Sequence, residues 1–382
     1  MIYFDNAATT RCCAEAASCV MQALTEDYGN PSSMHHAGVR AETLVKEAAA
    51  AIAGTLKTQP RQILFTSGGT ESDNLSIFGA AQSLCRQGRH IITTAIEHPA
   101  VAQPVARLKQ QGFEVDILGC DREGRVDPEE LREKLRPDTI LVSVMAVNNE
   151  VGSLLPIEEM AGIIHSSGRA LFHVDAIQAY GKIPLYPSRM GIDLMSVSSH
   201  KFHGPKGAGF LCIGDGVRIV PQILGGGQQQ GMRSGTDNVP GISGMGKAAA
   251  LACEHLEKNR EYMQTLKKML ADGLSGMDGT VINGPSPSEG APHILNVSFT
   301  GIRSEVLLHA LEEEEIYVSA GSACSSHKRK PGGTLAAMNL PTDRRESALR
   351  FSFSRYNTPD EVGRTIEVLH RLVPVLRRFQ RR

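Results

Sequence analysis

A lysine, an aspartate and a cysteine of this chain stand in surroundings that could make each of them reactive. Lys201 lies in SVSSHKFHGPKG (196–207), after a β-rich run and between His200 and Phe202. At the end of a buried strand a lysine's pKa can fall, as a Schiff-base lysine requires. Taken alone, though, a strand-end lysine reaching solvent is the commoner arrangement. Asp175 closes an apolar run in HVDAIQ (173–178), where an unpaired carboxylate is costly and calls for a cationic partner. In FTSGGTESDN (65–74) a strand runs into two glycines, Thr70 stands where a helix N-cap would, and Asp73 follows three residues on. Free N–H groups at such a helix start favour an anion, phosphate above all. A capped helix after a glycine turn is common, so this motif is weak by itself. Neither G-x-x-x-x-G-K-[ST] nor a strand-following G-x-G-x-x-G is present, so a phosphate here is not held in the usual nucleotide manner.

The cysteine is Cys324, in SAGSACSS (319–326), with nothing larger than serine around it. Such a stretch is either a turn that happens to hold a cysteine or a thiol that must travel. The other seven cysteines, Cys12 and Cys13 adjacent and the rest scattered, form no C-x-x-C pair, which argues against a zinc site and for reduced, mostly buried thiols. Phosphate cradle, buried aspartate and Schiff-base lysine together match what pyridoxal phosphate requires, its pyridinium nitrogen being the cation that a buried Asp175 needs.

Residues so far apart must be positioned by a substantial fold. The 382 residues suit a large domain plus a smaller one. With 41% hydrophobic and 21% charged residues and a formal net charge of −1, the chain has the composition of a soluble globular protein and no electrostatic case for nucleic acid or membrane. The start MIYFDNAATT lacks the layout of a signal peptide, and no apolar run approaches a membrane span; a cytoplasmic protein is expected. From residue 62 onward, β-rich runs (62–68, 90–96, 114–120, 139–147, 170–177) alternate with helical patterns and are apolar on both faces. That is the pattern of an α/β domain with a mostly parallel sheet. Runs at 194–202 and 207–214 follow each other without a helix, so that edge is not purely parallel. A long helical pattern over 241–275 precedes a mixture of short strands and helices that predicts a smaller α+β domain.

The chain resembles the cysteine desulfurases of the NifS/IscS type, within the class V aminotransferases of the fold type I pyridoxal-phosphate enzymes. The resemblance runs from YFDNAATT (3–10) to RFSFSRYNT (350–358). It passes through GNPSSMHHAG, FTSGGTESDN, EHPA (97–100), NNEVG (148–152), HVDAIQ, SSHKFHGPKG, RSGTDNVPG (233–241) and SAGSACSS. It implies that fold, with a seven-stranded sheet in a large cofactor-binding domain over 15–255. Residues 1–14 and 256–382 would form the small domain carrying the cysteine loop.

The resemblance also implies roles. Pyridoxal 5'-phosphate is held by Lys201 through a Schiff base, with Asp175 on the ring nitrogen and His98 stacked on the ring and shuttling protons. Asn149 and Gln178 contact the phenolic oxygen, and Gly69, Thr70, Ser198 and His200 hold the phosphate. Thr236 reaches the phosphate of a partner subunit, which implies a homodimer. Arg355, with Asn149 beside it, clamps the carboxylate of the substrate L-cysteine. Cys324 takes the sulfur as a persulfide, with Gly321 as hinge, and passes it to an acceptor protein, an iron–sulfur scaffold or a tRNA-thiolation enzyme; alanine leaves. Ser354 stands where many relatives have glycine. Selenocysteine lyase, an aminotransferase on the same fold and a non-catalytic sulfur-relay partner are the rival readings.

Overall fold

The structure is a computed structural model and describes residues 1–168, 170–320 and 333–379. The chain opens with β1 (Ile2–Tyr3), α1 (Ala14–Thr25), α2 (His36–Leu56), β2 (Ile63–Thr66) and α3 (Gly69–Leu84). Strand–helix alternation continues through β3 (His90–Thr94), α4 (Pro99–Gln110), β4 (Glu114–Leu118), α5 (Pro128–Lys134), β5 (Thr139–Met145), α6 (Ile157–Ser167) and β6 (Leu171–Asp175). A single turn, α7 (Pro187–Met190), leads to β7 (Leu194–Ser198) and β8 (Gly209–Ile213). These strands form a seven-stranded sheet in the order β2-β8-β7-β6-β5-β3-β4. It is parallel from β7 to β4, and β8 runs antiparallel to both of its neighbours. The mixed edge follows from the missing crossover helix between β7 and β8, since a direct connection can only reverse the strand. Every residue of β5 (TILVSVM) and β7 (LMSVS) is buried, as sheets covered on both faces require.

Beyond the sheet the chain forms α8 (Val239–Glu254) and α9 (Leu256–Leu274), then β9 (Thr280–Asn283), β10 (Ile294–Phe299), α10 (Ser304–Glu312), β11 (Ile316–Tyr317) and β12 (Ser319–Ala320). After the undescribed residues come α11 (Thr334–Ala337), α12 (Thr342–Glu346), β13 (Ala348–Ser352) and α13 (Pro359–Phe379). The helical pattern of 241–275 is thus two helices. They part at His255, whose φ of −123° and ψ of 37° leave the helical region. The break lets α8 bury Ala248, Ala249 and Ala252 in the core of the large sheet while α9 buries Met263, Leu266 and Leu270 in a second core. That second core lies on an antiparallel sheet of order β12-β13-β10-β9. The amino terminus joins it: β1 pairs in parallel with β11, and the Phe4 ring packs 5.1 Å from that of Phe353. No helix among the described residues is long and apolar enough to cross a membrane.

Candidate active site

The carboxyl ends of β5, β6 and β7 bring the sequence-predicted residues to one place, as open α/β sheets do. Asp175 is the last residue of β6, opposite Met145 of β5 and Ser196 of β7. Lys201 ends the short turn Ser199–Lys201 that follows β7. Its Nζ donates to the carbonyl oxygens of Ala7 and Ala8, each at 2.7 Å. The Ala7 carbonyl also accepts from Gln178 Nε2 at 2.8 Å, and the Ala7 N–H donates to Ser352 Oγ at 2.8 Å. Residues 5–9, the DNAAT of the opening motif, are therefore the strap that ties lysine, glutamine and the small sheet together.

At one end of this region a cavity of about 350 Å³ is lined by Gly68, Gly69, Thr70, Ser198, His200 and Lys206, among others. Four of these are the residues expected to hold a phosphate. The cap differs from the sequence expectation: α3 starts at Gly69 with Gly68 as N-cap, and Thr70 is already in the first turn. Gly68 has φ +151°, a conformation open to glycine and costly for threonine. A Cβ on Gly69 would fall 2.1 Å from Ile177 Cδ1, so packing against Ile177 excludes a larger residue at this helix start. His200 donates to or accepts from Thr9 Oγ1 at 3.1 Å. Burial, with Lys201 close by, lowers its pKa to about 4, so its ring is neutral.

The other end is carboxyl-rich and dry. Asp175 Oδ1 accepts from the Ile177 N–H at 2.9 Å. Burial, reinforced by Asp73, pushes its pKa up to about 8, while Lys201 pulls it back. His98 caps α4, its Nδ1 accepting from the Ala100 N–H at 3.1 Å, and Pro99 fixes the first helical residue. Burial and the Lys201 charge lower the His98 pKa. Beside it, Glu97 accepts from Thr94 and from the Met145 N–H, and burial raises its pKa well above the usual carboxylate range. Gln178 Oε1 lies 3.3 Å from His293 Nε2.

Two arginines, Arg355 and Arg350, differ in their surroundings. Arg355 donates to the Leu251 carbonyl and to the hydroxyl of Tyr356, over whose ring it lies. With Thr10, Lys201 and Ser354 it also lines a cavity. Arg350, in β13, is buried, donates to the Asn149 carbonyl at 2.7 Å and pairs with Asp5 at 2.9 Å; its Nε has no partner. A signal was available: an arginine inside the buried run ALRFS has to meet a carboxylate, and Asp5 is that carboxylate.

Thr236 is exposed, outside the lining of the phosphate-end cavity. Its loop is fastened by Arg233, which pairs through Nε with Glu71 at 2.8 Å. Cys324 and Gly321 lie outside the described residues. The flanks of their segment are placed: Ser319 pairs with Arg350 in the small sheet. On the far side Thr334 accepts from Asn148 Nδ2 at 3.0 Å and donates its N–H to Glu150.

Comparison with known proteins decides the family. The aminotransferase class-V family model matches residues 2–365. The chain belongs to the class-V aminotransferases, among the cysteine desulfurases. It is 42% identical over 377 residues to "Cysteine desulfurase IscS" of Dictyoglomus turgidum, covering 98% of this chain and 95% of that protein. A solved "NifS-like protein" superposes with a TM-score of 0.93 at 38% identity, covering 98% of this chain and 100% of that one. A structure described as "SspA in complex with cysteine" superposes at 0.82 with 30% identity, covering 94% of this chain and 100% of that one. Membership implies pyridoxal phosphate, and the residues of this desulfurase site fit it. A glycine-led helix start suits a phosphate, and a buried carboxyl raised to about 8 lacks the positive charge that a protonated ring nitrogen brings.

Proposed function

We propose that this desulfurase removes sulfur from L-cysteine as a persulfide on Cys324, releasing L-alanine, and hands that sulfur to an acceptor protein. The observation that carries the reading is the anchoring of both flanks of the Cys324 segment. One runs beside Arg350 and the other is tied to Asn148 and Glu150, so both described ends of the segment lie beside the candidate site. Pyridoxal phosphate, when bound, supplies the electron sink that makes the substrate sulfur electrophilic. The chain's own residues do the rest. Lys201 holds the cofactor and moves protons at the substrate, with His98 as the second proton carrier; Asp175 faces the ring nitrogen. Asn149 and Gln178 face the phenolic oxygen. Gly69, Thr70, Ser198 and His200 cradle the phosphate.

Arg355, which lines a cavity together with Lys201, takes the substrate carboxylate, its planar fork being suited to that group. The Cys324 thiolate attacks the sulfur, the Cβ–S bond breaks as the S–S bond forms, and the carbon takes a proton. Carbon is reduced and the thiol is oxidised to the persulfide level, so electrons balance without a further reagent.

Thr236, exposed at the end of a fastened loop, reaches the phosphate site of a second copy in a homodimer; exposed Tyr28, Met34 and Leu224 support such an interface. Residues 15–255 form the cofactor unit, and 1–14 with 256–382 the smaller one. The β1–β11 pairing and the Phe4–Phe353 contact support that division. The acceptor is a scaffold for iron–sulfur clusters or a tRNA-thiolation enzyme, and seven free cysteines among the described residues suit a cytoplasmic setting.

Cys324→Ser tests the assignment. With sulfur-labelled cysteine and no reductant, the unaltered protein should carry dithiothreitol-releasable label on the Cys324 peptide. The serine protein should bind pyridoxal phosphate and make alanine only at background. Normal alanine production by the serine protein would remove Cys324 from the mechanism.

A further inference from the structure

The Gln178 amide is held from two sides, and one of its holders, His293, has no part in the reaction above. Gln178 follows β6 and is buried. Its Nε2 donates to the Ala7 carbonyl at 2.8 Å, the same oxygen that accepts from Lys201 Nζ at 2.7 Å. Its Oε1 lies 3.3 Å from His293 Nε2. His293 immediately precedes β10 of the small sheet, is fully buried, and accepts the Phe353 N–H at its own carbonyl at 2.9 Å. His293, Gln178, Ala7 and Lys201 thus form one hydrogen-bonded line from the small sheet to the lysine.

These contacts alone orient both the amide and the ring. A carbonyl oxygen only accepts, so the Gln178 atom facing Ala7 is nitrogen and the atom facing His293 is oxygen. That oxygen also only accepts, so His293 Nε2 carries a hydrogen. The other ring nitrogen, Nδ1, is buried and has no hydrogen-bond partner among the described residues. A hydrogen there would be an unmet donor, which burial makes costly. The ring is therefore neutral and in the Nε2–H form. Its charged surroundings agree. Burial, with the cations of Lys182 from the loop after β6, Lys267 from α9, Arg350 from β13 and Lys201, holds its pKa well below the usual imidazole range.

We propose that His293 is a positioning residue that keeps the Gln178 amide one way round, so that only N–H can be offered to the phenolic oxygen of the cofactor. The amide nitrogen has two hydrogens, and Ala7 takes one. A turned amide would set its oxygen against the Ala7 carbonyl and against an electron-rich phenolic oxygen, and would leave the His293 N–H facing another N–H. The Ala7 contact by itself leaves the amide hinged on a single bond; His293 supplies the second. The inference rests on the reading that Gln178 faces the phenolic oxygen.

His293→Leu keeps the bulk and removes the donor; His293→Gln puts an amide N–H near the place of Nε2. In the leucine protein the affinity for added pyridoxal phosphate should fall ~3- to ~10-fold. The bound cofactor's absorbance should titrate at higher pH, since a lost N–H no longer favours the ionised phenolic oxygen. Glutamine should restore most of both. Gln178→Ala should produce the same changes, and adding His293→Leu to it should change little further. In the unaltered apo-protein, nitrogen NMR of labelled histidine should find His293 protonated at Nε2 alone from about pH 6 to about pH 8, a measurement that stands even if no variant folds. A proton on Nδ1, or a ring that titrates in that range, would overturn the proposal. So would a leucine protein that matches the unaltered one, or a leucine defect that glutamine does not relieve and that adds fully to Gln178→Ala, the mark of plain packing. If Gln178→Ala moves neither affinity nor absorbance, the reading of Gln178 falls and takes this one with it, whatever the histidine tautomer.

Discussion

The two ends of the pocket are built on opposite electrostatic plans. At the phosphate end the chain offers a glycine-led helix start, Thr70, Ser198, Lys206, and His200 with its pKa lowered to about 4. At the other end it stacks carboxyls against one another in a dry layer, Asp175 about 8 and Asp73 about 7. Burial acts at both ends and favours the neutral form of whatever it covers. For imidazole that means loss of charge, and for a carboxyl it means retention of a proton. The first end is therefore ready for an anion, with Lys206 in its lining as the positive charge. The second is short of positive charge until something supplies it. Lys201 stands between them, and its charge appears among the causes of the shifts at His200, His98 and Asp175 alike.

The largest expected effect comes from removing that common element. Lys201→Ala deletes the Nζ that donates to Ala7 and Ala8, the group proposed to hold the cofactor. Alanine release should fall by at least ~10³-fold, and borohydride should no longer fix cofactor to the chain. Trapping on Lys206 or Lys182 in the unaltered protein would move the assignment.

A smaller effect separates the two arginines. Arg355→Lys keeps the charge in the cavity shared with Lys201 and loses the planar fork, so KM for L-cysteine should rise ~10-fold or more with less change in kcat. Arg350→Lys, whose buried guanidinium serves Asp5 and the Asn149 carbonyl, should lower the urea midpoint and leave KM within ~3-fold. Reversed results would move the carboxylate to Arg350.

Much of this site was legible in the sequence because its parts sit at element ends, where residue type is constrained locally. Lys201 and Asp175 follow apolar runs, and the paired glycines after FTS mark the helix start that the structure places at Gly69. The strands were legible too, since buried strands such as β5 and β7 read as continuous apolar runs, although β4 at the sheet edge buries only Leu118 fully. What was not legible depended on contacts distant in the chain. Asp73 looked like a partner of an N-cap three residues before it. Only the packing of α3 on β6 reveals it as a core carboxyl facing His173. Arg350 and Arg355 are five residues apart with similar neighbours, and what distinguishes them is Asp5, which is 345 residues from Arg350. The break at His255 arises because α8 and α9 serve different cores, a fact of tertiary packing that helical periodicity does not carry.

The smallest effects test whether the glycine-led helix start is needed for its backbone shape or for its open space. Gly68 and Gly69 are adjacent but are glycine for different reasons. At Gly68 a Cβ would have room, its nearest neighbour being Ser198 Oγ at 3.7 Å, but φ is +151°. Alanine there stores backbone strain of about 1–3 kcal/mol, which no change in a neighbouring side chain can relieve. At Gly69 the backbone is helical and the obstacle is Ile177, with Cδ1 at 2.1 Å and Cγ1 at 2.8 Å from the added carbon. Because Cδ1 is the free end of a flexible side chain, Gly69→Ala should cost about 1–2 kcal/mol as overpacking and weaken pyridoxal phosphate binding several-fold. Shortening the obstacle with Ile177→Val should restore most of both losses in the double variant, a non-additive rescue expected for residues in contact. The same valine combined with Gly68→Ala should restore nothing. Equal rescue of both alanine variants would mean that space alone governs the phosphate end; rescue of neither would mean that each glycine is held by its backbone.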